Sequence, residues 1–98
     1  MIKFDKLDPV IHAPVRLAIM TLLSQIVEAE FNYIKEATGA TDGNLSTHLT
    51  KLEKADFISI TKSFSGKKPL TTCALTNKGR NAYRSYLQSI QSYLKTGK

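Results

Sequence analysis

Residues 38 to 54 read TGATDGNLSTHLTKLEK, a pattern typical of two helices joined by a tight turn. Gly39 suits the left-handed backbone that ends many helices, and Thr41 suits the N-cap of the next helix because its hydroxyl can accept a hydrogen bond from an amide of the first turn. Leu45, Leu49 and Leu52 follow at helical spacing and form one apolar stripe. We therefore predict a turn followed by a helix that packs through one face and exposes a polar one.

The polar face of this helix carries side chains that can contact nucleic acid. Asn pairs bidentately with adenine, Ser and Thr hydroxyls bind bases or phosphates, and Lys binds phosphates. Asn44 and Ser46 can instead serve only the free amides of the first helical turn, as small polar residues often do. The DNA-binding residues predicted in this segment are Thr41, Asn44, Ser46, Thr47, His48, Thr50, Lys51 and Lys54.

His48 lies at the border of the packed face, because it follows Leu45 by one helical turn. It can be a buried hydrogen-bonding residue, a donor to phosphate or a metal ligand. A metal site would require His12 and Cys73 to converge with it from separate elements, without a carboxylate pattern to help. We therefore favour the first two roles and predict no metal and no cofactor.

The length and composition predict a single domain. A chain of 98 residues can bury one core but is too short for a catalytic and a regulatory domain together, so we expect one domain over residues 1–98. No apolar run approaches the roughly 18 residues of a membrane span, and no signal-peptide pattern opens the chain. We expect a cytoplasmic protein without a membrane partner. Cys73 is the only cysteine, which excludes an intrachain disulfide.

The positive charge is concentrated in one half of the sequence. The net charge is +6. Residues 1 to 50 carry four Lys and Arg against six Asp and Glu, whereas residues 51 to 98 carry ten against two. The basic half begins within the predicted polar helix and includes everything after it. This segregation favours a polyanionic partner, although a solvated basic surface kept for solubility is the alternative.

The segment before residue 38 predicts two further helices. Asp8-Pro9 is typical of a short entry turn, and Pro14 suits the first turn of a helix that continues to about Gln25 or Ile26. The stretch 27–30 is short enough to be a connector or a two-residue edge strand. A compact second helix then starts near Phe31 and stops at Gly39.

After the polar helix the period changes to the alternation of a β-hairpin. Ile58, Ile60 and Phe64 share one face of the first strand, residues 65–69 form a turn cluster, and residues 70–75 return as the second strand. Lys67 and Lys68 lie in the turn, where they can reach phosphates or merely keep the hairpin tip soluble. We include both among the predicted DNA-binding residues.

The last helix, capped by Thr76, carries an apolar arc wider than one packed face needs. The domain core can cover only one side of it. We therefore expect the other side to meet the same helix of a twofold-related subunit, with support from the N-terminal segment. The predicted dimer interface comprises Leu7, Val10, Ile11, Ala82, Tyr83, Tyr86, Leu87, Ile90, Tyr93 and Leu94.

Three helices, a hairpin and a further helix describe an α+β winged helix-turn-helix. At this point the sequence resembles the small winged-helix transcriptional regulators of the MarR and ArsR types. The resemblance covers nearly the whole chain and is carried in order by residues 8–9, 12–19, 41–49, 51–53, 67–69 and 75–80. It implies a homodimeric, sequence-specific DNA-binding regulator of bacteria or archaea, with the third helix in the major groove and the hairpin as a wing over the adjacent backbone or minor groove.

The functional hypothesis is a regulator that binds double-stranded DNA as a homodimer on a pseudo-palindromic operator and represses by occluding the promoter. We expect no enzyme, because the sequence has no Ser/His/Asp set, paired carboxylate motif or phosphate-cradling glycine loop. Two alternatives remain: a protein-interaction module of a transcription or processing complex, and an RNA-binding module. The sequence does not indicate whether a small-molecule effector is bound.

Overall fold

Four helices and a three-stranded antiparallel sheet make up the chain in the computed structural model, which describes residues 3–95. The predicted domain range of 1–98 extends beyond these residues at both ends. The α+β winged-helix architecture is confirmed. The elements are α1 Pro14–Leu23, β1 Ala29–Glu30, α2 Phe31–Thr38, α3 Asp42–Lys54, β2 Ile58–Ser65, β3 Lys68–Leu75 and α4 Asn77–Leu94.

The predicted turn between α2 and α3 is confirmed. Gly39 has φ 70° and its amide donates to the Lys35 carbonyl, so it closes α2 in the left-handed conformation. The Thr41 hydroxyl accepts the Asn44 amide at 3.2 Å and caps α3. Lys35 and Asp42 add an ion pair of 2.8 Å across the turn. The start of α3 is thus determined by contacts within a few residues of sequence.

The core forms where α1, α2 and the apolar stripe of α3 meet. Leu45, Leu49 and Leu52 are all buried, as predicted. Their rigid packing fixes the rotation of α3 about its own axis and so determines which side chains face solvent. The buried side chains of the two preceding helices are Ile19, Met20, Leu23 and Ile34.

Helix α1 is shorter than predicted and ends at Leu23 instead of Gln25 or Ile26. The reason is local hydrogen bonding. The Ser24 hydroxyl donates to the Thr21 carbonyl at 2.6 Å, and the Gln25 amide donates to Leu22 at 3.1 Å in a tighter final turn. The chain then continues to β1, which pairs with β3 at the edge of the sheet, so the second of the two alternatives for residues 27–30 is confirmed.

The hairpin turn is tighter than predicted. Strands β2 and β3 pair from Ile58 with Leu75 to Ser65 with Lys68, which leaves a loop of two residues, Gly66 and Lys67. Gly66 has φ 65° whereas Lys67 does not have a positive φ, the combination found in type II′ turns. Lys68 and Pro69 therefore begin β3 and are not part of the turn.

Helix α4 is fastened at both ends. The Thr76 hydroxyl accepts the Gly79 amide at 2.9 Å, as predicted for the cap, and donates to the Asp56 carbonyl at 2.6 Å. Gly79 packs directly against the Phe57 backbone, where a Cβ atom would collide with the carbonyl. At the other end the Asp5 amide donates to Ser92 at 3.1 Å, so the N-terminal segment lies along the last turns of the helix.

Candidate nucleic-acid interface

Seven of the ten residues predicted to bind DNA are exposed on α3 or at its N-cap. Leu45, Leu49 and Leu52 point into the core, and the polar positions lie on the opposite side. The exposed members are Thr41, Asn44, Ser46, Thr47, Thr50, Lys51 and Lys54. The packing of the leucine stripe thus displays these side chains together before any partner is bound.

The side chains of Asn44 and Ser46 make no hydrogen bond to any part of the chain between residues 3 and 95. The contact at Asn44 uses its backbone amide, which donates to the Thr41 cap. The interpretation that these two side chains serve the free amides of the helix is therefore not supported. Both retain their full hydrogen-bonding capacity for a ligand.

The two threonine hydroxyls of α3 are oriented by their own helix. Thr47 donates to the Gly43 carbonyl at 3.0 Å and Thr50 donates to the Ser46 carbonyl at 2.8 Å. Because each hydroxyl hydrogen is used, each oxygen faces solvent as an acceptor next to a methyl group. Such a surface suits the amino groups of adenine and cytosine and the methyl group of thymine.

A groove of about 220 Å³ separates α3 from the hairpin and brings the two elements into one surface. Ser46 and Thr50 line it from the helix, and Lys62 and Thr71 line it from the hairpin. Sequence reasoning missed Lys62. The sequence does indicate where this side chain lies. Lys62 follows Ile60 by two positions in the same strand, so the two side chains lie on the same face.

The hairpin and α3 together present five lysines without acidic partners. Among the described residues, the ion pair between Lys35 and Asp42 is the only one, and it involves none of these five lysines. The predicted Lys67 and Lys68 are exposed at the hairpin tip. The uncompensated cations are Lys51, Lys54, Lys62, Lys67 and Lys68. Such a surface attracts a polyanion.

His48 is half-buried at the edge of α3, and its Nδ1 atom lies 3.0 Å from a terminal nitrogen of Arg16. Burial, and then the charges of Arg16 and Lys51, lower the pKa of His48. The structure thus shows His48 in a hydrogen bond within the chain, one of the two roles favoured from the sequence, while the phosphate role stays a prediction. Arg16 was not recognised as part of the site, since it lies 32 residues away in sequence.

The residues considered for a metal site stay apart. Between residues 3 and 95 no three His, Cys, Asp or Glu side chains are grouped so that they could hold a metal ion. Cys73 is buried in β3. Burial and the nearby Glu53 raise the pKa of its thiol to about 11, so the thiol is protonated at neutral pH and is a weak nucleophile.

Two residues predicted for the dimer interface belong to the core of the monomer instead. Ile11 is 0% exposed and Tyr86 is 4% exposed. The Tyr86 hydroxyl lies 2.8 Å from His12 Nδ1, and the Tyr83 hydroxyl lies 2.8 Å from the Thr21 hydroxyl. Ile11 and Tyr86 therefore offer no surface to a partner, because α4 uses this side to hold α1 and the N-terminal turn.

The other predicted interface residues keep some surface. Leu87 is 41% exposed and Leu94 is 72% exposed, both on α4. Part of the wide apolar arc is covered by the same chain, since the Phe4 and Tyr93 rings lie 4.9 Å apart and the Tyr93 hydroxyl donates to the Asp5 carbonyl. The half-buried or exposed members are Leu7, Val10, Ala82, Tyr83, Leu87, Ile90, Tyr93 and Leu94.

None of the helices in the described part of the chain is long and apolar enough to cross a membrane.

Comparison with known proteins finds the same architecture elsewhere. Residues 15–94 match a family model described as a winged helix DNA-binding domain. The chain is also 41% identical over 81 residues to an uncharacterized protein of Methanocaldococcus jannaschii, a match that covers 83% of this chain and 88% of that one.

Solved structures agree with this match. A transcriptional regulator homologue from Pyrococcus horikoshii OT3 superposes with a TM-score of 0.82 at 28% identity, covering 89% of this chain and 86% of that one. A MarR family regulator from Enterococcus faecalis V583 has a TM-score of 0.74 at 23% identity, covering 89% and 77%, and shows the shared fold. The predicted winged-helix family is confirmed by the family model, and the chain shares its fold with regulators of the MarR and ArsR types.

Proposed function

The chain belongs to the winged helix DNA-binding domain family, and from this we propose a transcriptional repressor that binds a pseudo-palindromic operator as a homodimer and occludes the promoter. One observation carries the proposal: the polar face of α3 and the hairpin share a groove, and the lysines around them have no acidic partners among the described residues. A continuous cationic surface with free hydrogen-bonding side chains at its centre suits a DNA groove bordered by phosphates.

In the proposed complex α3 enters the major groove and the hairpin follows the neighbouring backbone. Asn44 and Thr47 are near the start of α3, where side chains reach base edges. Lys51 and Lys54 lie further along and neutralise phosphates. Lys62 extends this contact from the helix to the hairpin across the shared groove.

The homodimer is proposed to form through the last turns of α4 and the N-terminal segment that lies on them. Leu87, Leu94 and Phe4 are large apolar side chains that remain exposed there. Twofold pairing through this surface would place two copies of α3 on successive major grooves, and operators for such dimers have half-sites about 10 base pairs apart.

Footprinting of the purified chain on the DNA upstream of its own coding sequence tests the proposal. We expect a protected region with two symmetry-related half-sites, and we expect transcription from that promoter in vitro to fall as protein is added. Affinity should drop steeply with salt, because phosphate neutralisation releases counterions. Equal binding to every duplex would contradict the proposal of a specific operator. An unchanged or increased transcript level would contradict the proposed repressor role.

One alternative from the sequence is weakened by the surface of α3. A protein-interaction module is expected to carry an exposed apolar patch on this helix. The large apolar side chains that are exposed between residues 3 and 95 lie elsewhere, and α3 contributes none of them.

A further inference from the structure

Arg16 connects three parts of the molecule. Its Nε donates to the Val10 carbonyl and one terminal nitrogen donates to the Pro9 carbonyl at 3.4 Å, which fastens the N-terminal turn to α1. Its other terminal nitrogen lies 3.0 Å from Nδ1 of His48 on α3. The side chain makes no ion pair within the described residues.

The contact with Arg16 determines the protonation of His48. A guanidinium group has donors and no acceptor, and it keeps its proton in proteins. Nδ1 of His48 must therefore be the acceptor and carries no hydrogen. The ring is neutral and its hydrogen lies on Nε2, so a single tautomer satisfies the geometry.

Nε2 of His48 is open to a ligand. It has no hydrogen-bond partner between residues 3 and 95, and it is not among the buried atoms that lack one, so it is reached by solvent. Its neighbours on α3 are Thr47 on the exposed face and Lys51 one turn further. The Nε2–H group is consequently a donor at the edge of the surface proposed to meet DNA.

The charges beside His48 favour an anion, because the cations of Arg16 and Lys51 both act on the ring. Together with Lys54 these two residues also line a neighbouring pocket of about 370 Å³, which no acidic residue of the described chain lines and to which His48 itself does not contribute. Asp8, in the N-terminal turn, is engaged with the Val10 amide at 2.8 Å. Burial and the charges of Arg16 and Lys51 lower the pKa of His48, in agreement with a neutral ring.

We propose that Arg16 is a positioning residue for DNA binding, which holds His48 as a neutral ring whose Nε2–H donates to a backbone phosphate oxygen beside the α3 face. The inference rests on the proposed function and deepens it, because it names a phosphate contact outside the base-reading positions. Through this arrangement the N-terminal turn and α3 are linked by one side chain.

The first test measures the tautomer of His48 in the free protein, by the nitrogen shifts and long-range couplings of its ring in NMR spectra of the whole chain at pH 7.5. We expect an unprotonated Nδ1 and a protonated Nε2. A ring protonated at Nδ1, or a mixture of the two tautomers, would overturn the inference without any reference to DNA.

The second test compares the DNA affinity of three variants at pH 7.5 and pH 6. Arg16→Met removes the donors and the charge, Arg16→Lys keeps the charge without the planar fork, and Arg84→Met removes a charge from an exposed position of α4. We expect both Arg16 variants to bind operator and random duplexes about tenfold more weakly at pH 7.5. Arg84→Met should bind nearly as the parent does.

The pH dependence separates a positioning role from a structural one. Without the charge of Arg16, the pKa of His48 should rise toward its usual value of about 6.5, so the ring of Arg16→Met gains a proton as pH falls to 6. A cationic ring binds phosphate better, and the affinity of Arg16→Met should increase at pH 6 more than that of the parent. Adding His48→Gln to Arg16→Met should abolish this increase.

The outcomes distinguish the two proposals. If the parent binds no duplex, the proposed function fails while the tautomer measurement still decides the Arg16–His48 arrangement. If the parent binds its operator and the Arg16 variants bind equally well, the further inference alone fails. If thermal melting shows that Arg16→Met is unfolded, two results still decide the test: the affinity of Arg16→Lys for DNA and the tautomer of His48 in the parent protein.

Discussion

At the scale of single residues, the side chains of α3 differ in what their surroundings leave free. The hydroxyl groups of Thr47 and Thr50 donate hydrogen bonds to carbonyls of their own helix. The side-chain amide of Asn44, in contrast, makes no hydrogen bond between residues 3 and 95, so its donors and its acceptor are available. Asn44 is also exposed near the helix start. It is therefore the side chain of this face best suited to a bidentate contact with adenine.

We expect Asn44→Ala to lose about 1–3 kcal/mol of binding free energy against the operator and much less against random DNA. Fluorescence anisotropy with both duplexes measures this difference. Lys51→Ala is the matched control from the same helix, since removal of a cation that neutralises phosphate should weaken binding to both duplexes to a similar degree. An Asn44→Ala protein that is folded and keeps the parental ratio of specific to random binding would contradict the assignment.

Gly79 lies so close to the backbone of another segment that no side chain fits at this position. A methyl group there would collide with the Phe57 carbonyl, so Gly79→Ala should lower the free energy of unfolding by about 1–3 kcal/mol or more. Gly43→Ala is the control within α3, because a methyl group at that position meets open space. Thermal melting by circular dichroism compares the two variants, and equal melting temperatures would mean that α4 can shift away from Phe57 without cost.

At the scale of elements, we expect the hairpin tip to contribute charge to DNA binding with little base selectivity. Lys67 and Lys68 occupy its tip and have no acidic partner within residues 3–95. Changing both to Ala should weaken binding to operator and random duplexes alike, and should make the salt dependence shallower by about 0.9 for each phosphate that the variant no longer neutralises. Titrations at several salt concentrations give the slope of log affinity against log salt concentration. An unchanged slope would contradict the prediction that the hairpin contacts phosphates.

The same scale shows what sequence could predict. The cap at Thr41, the stop at Gly39 and the leucine stripe depend on residues within two helical turns, and all three were predicted. The contributions of Arg16 and Lys62 were missed. Arg16 meets His48 from 32 residues away, so this contact leaves no mark in local periodicity. Strand alternation places Lys62 on the face of Ile60, but it does not show that this face borders a groove shared with α3.

At the scale of the whole molecule, the described chain is elongated, with extents of 60 × 25 × 21 Å. The dimer interface predicted from the apolar arc was too broad, because Ile11 and Tyr86 are used within the monomer. The sequence could not predict this difference, because the apolar pattern of a helix does not show whether a residue packs within its own chain or against a partner. The surface that remains for a partner centres on Leu87 and Leu94.

The double variant Leu87→Glu with Leu94→Glu should be a folded monomer, because both side chains are already exposed and two added charges would face each other across the interface. Its operator affinity should fall, since each half-site is deprived of a tethered partner. Val27→Glu is the control, an apolar residue 90% exposed in the loop after α1. Sedimentation equilibrium at tens of micromolar distinguishes the states, and a monomeric parent would contradict the homodimer.

The two-residue turn at Gly66 and Lys67 has a consequence for the thermodynamics of binding. Fixing the backbone of one residue costs about 1–2 kcal/mol of conformational entropy, and a long loop would meet that cost each time it settled on a phosphate. A hairpin paired up to Ser65 and Lys68 has already given up that freedom during folding. The backbone that carries Lys67 and Lys68 is thus preorganised, and only their side chains would still have to be ordered if the hairpin contacts phosphate.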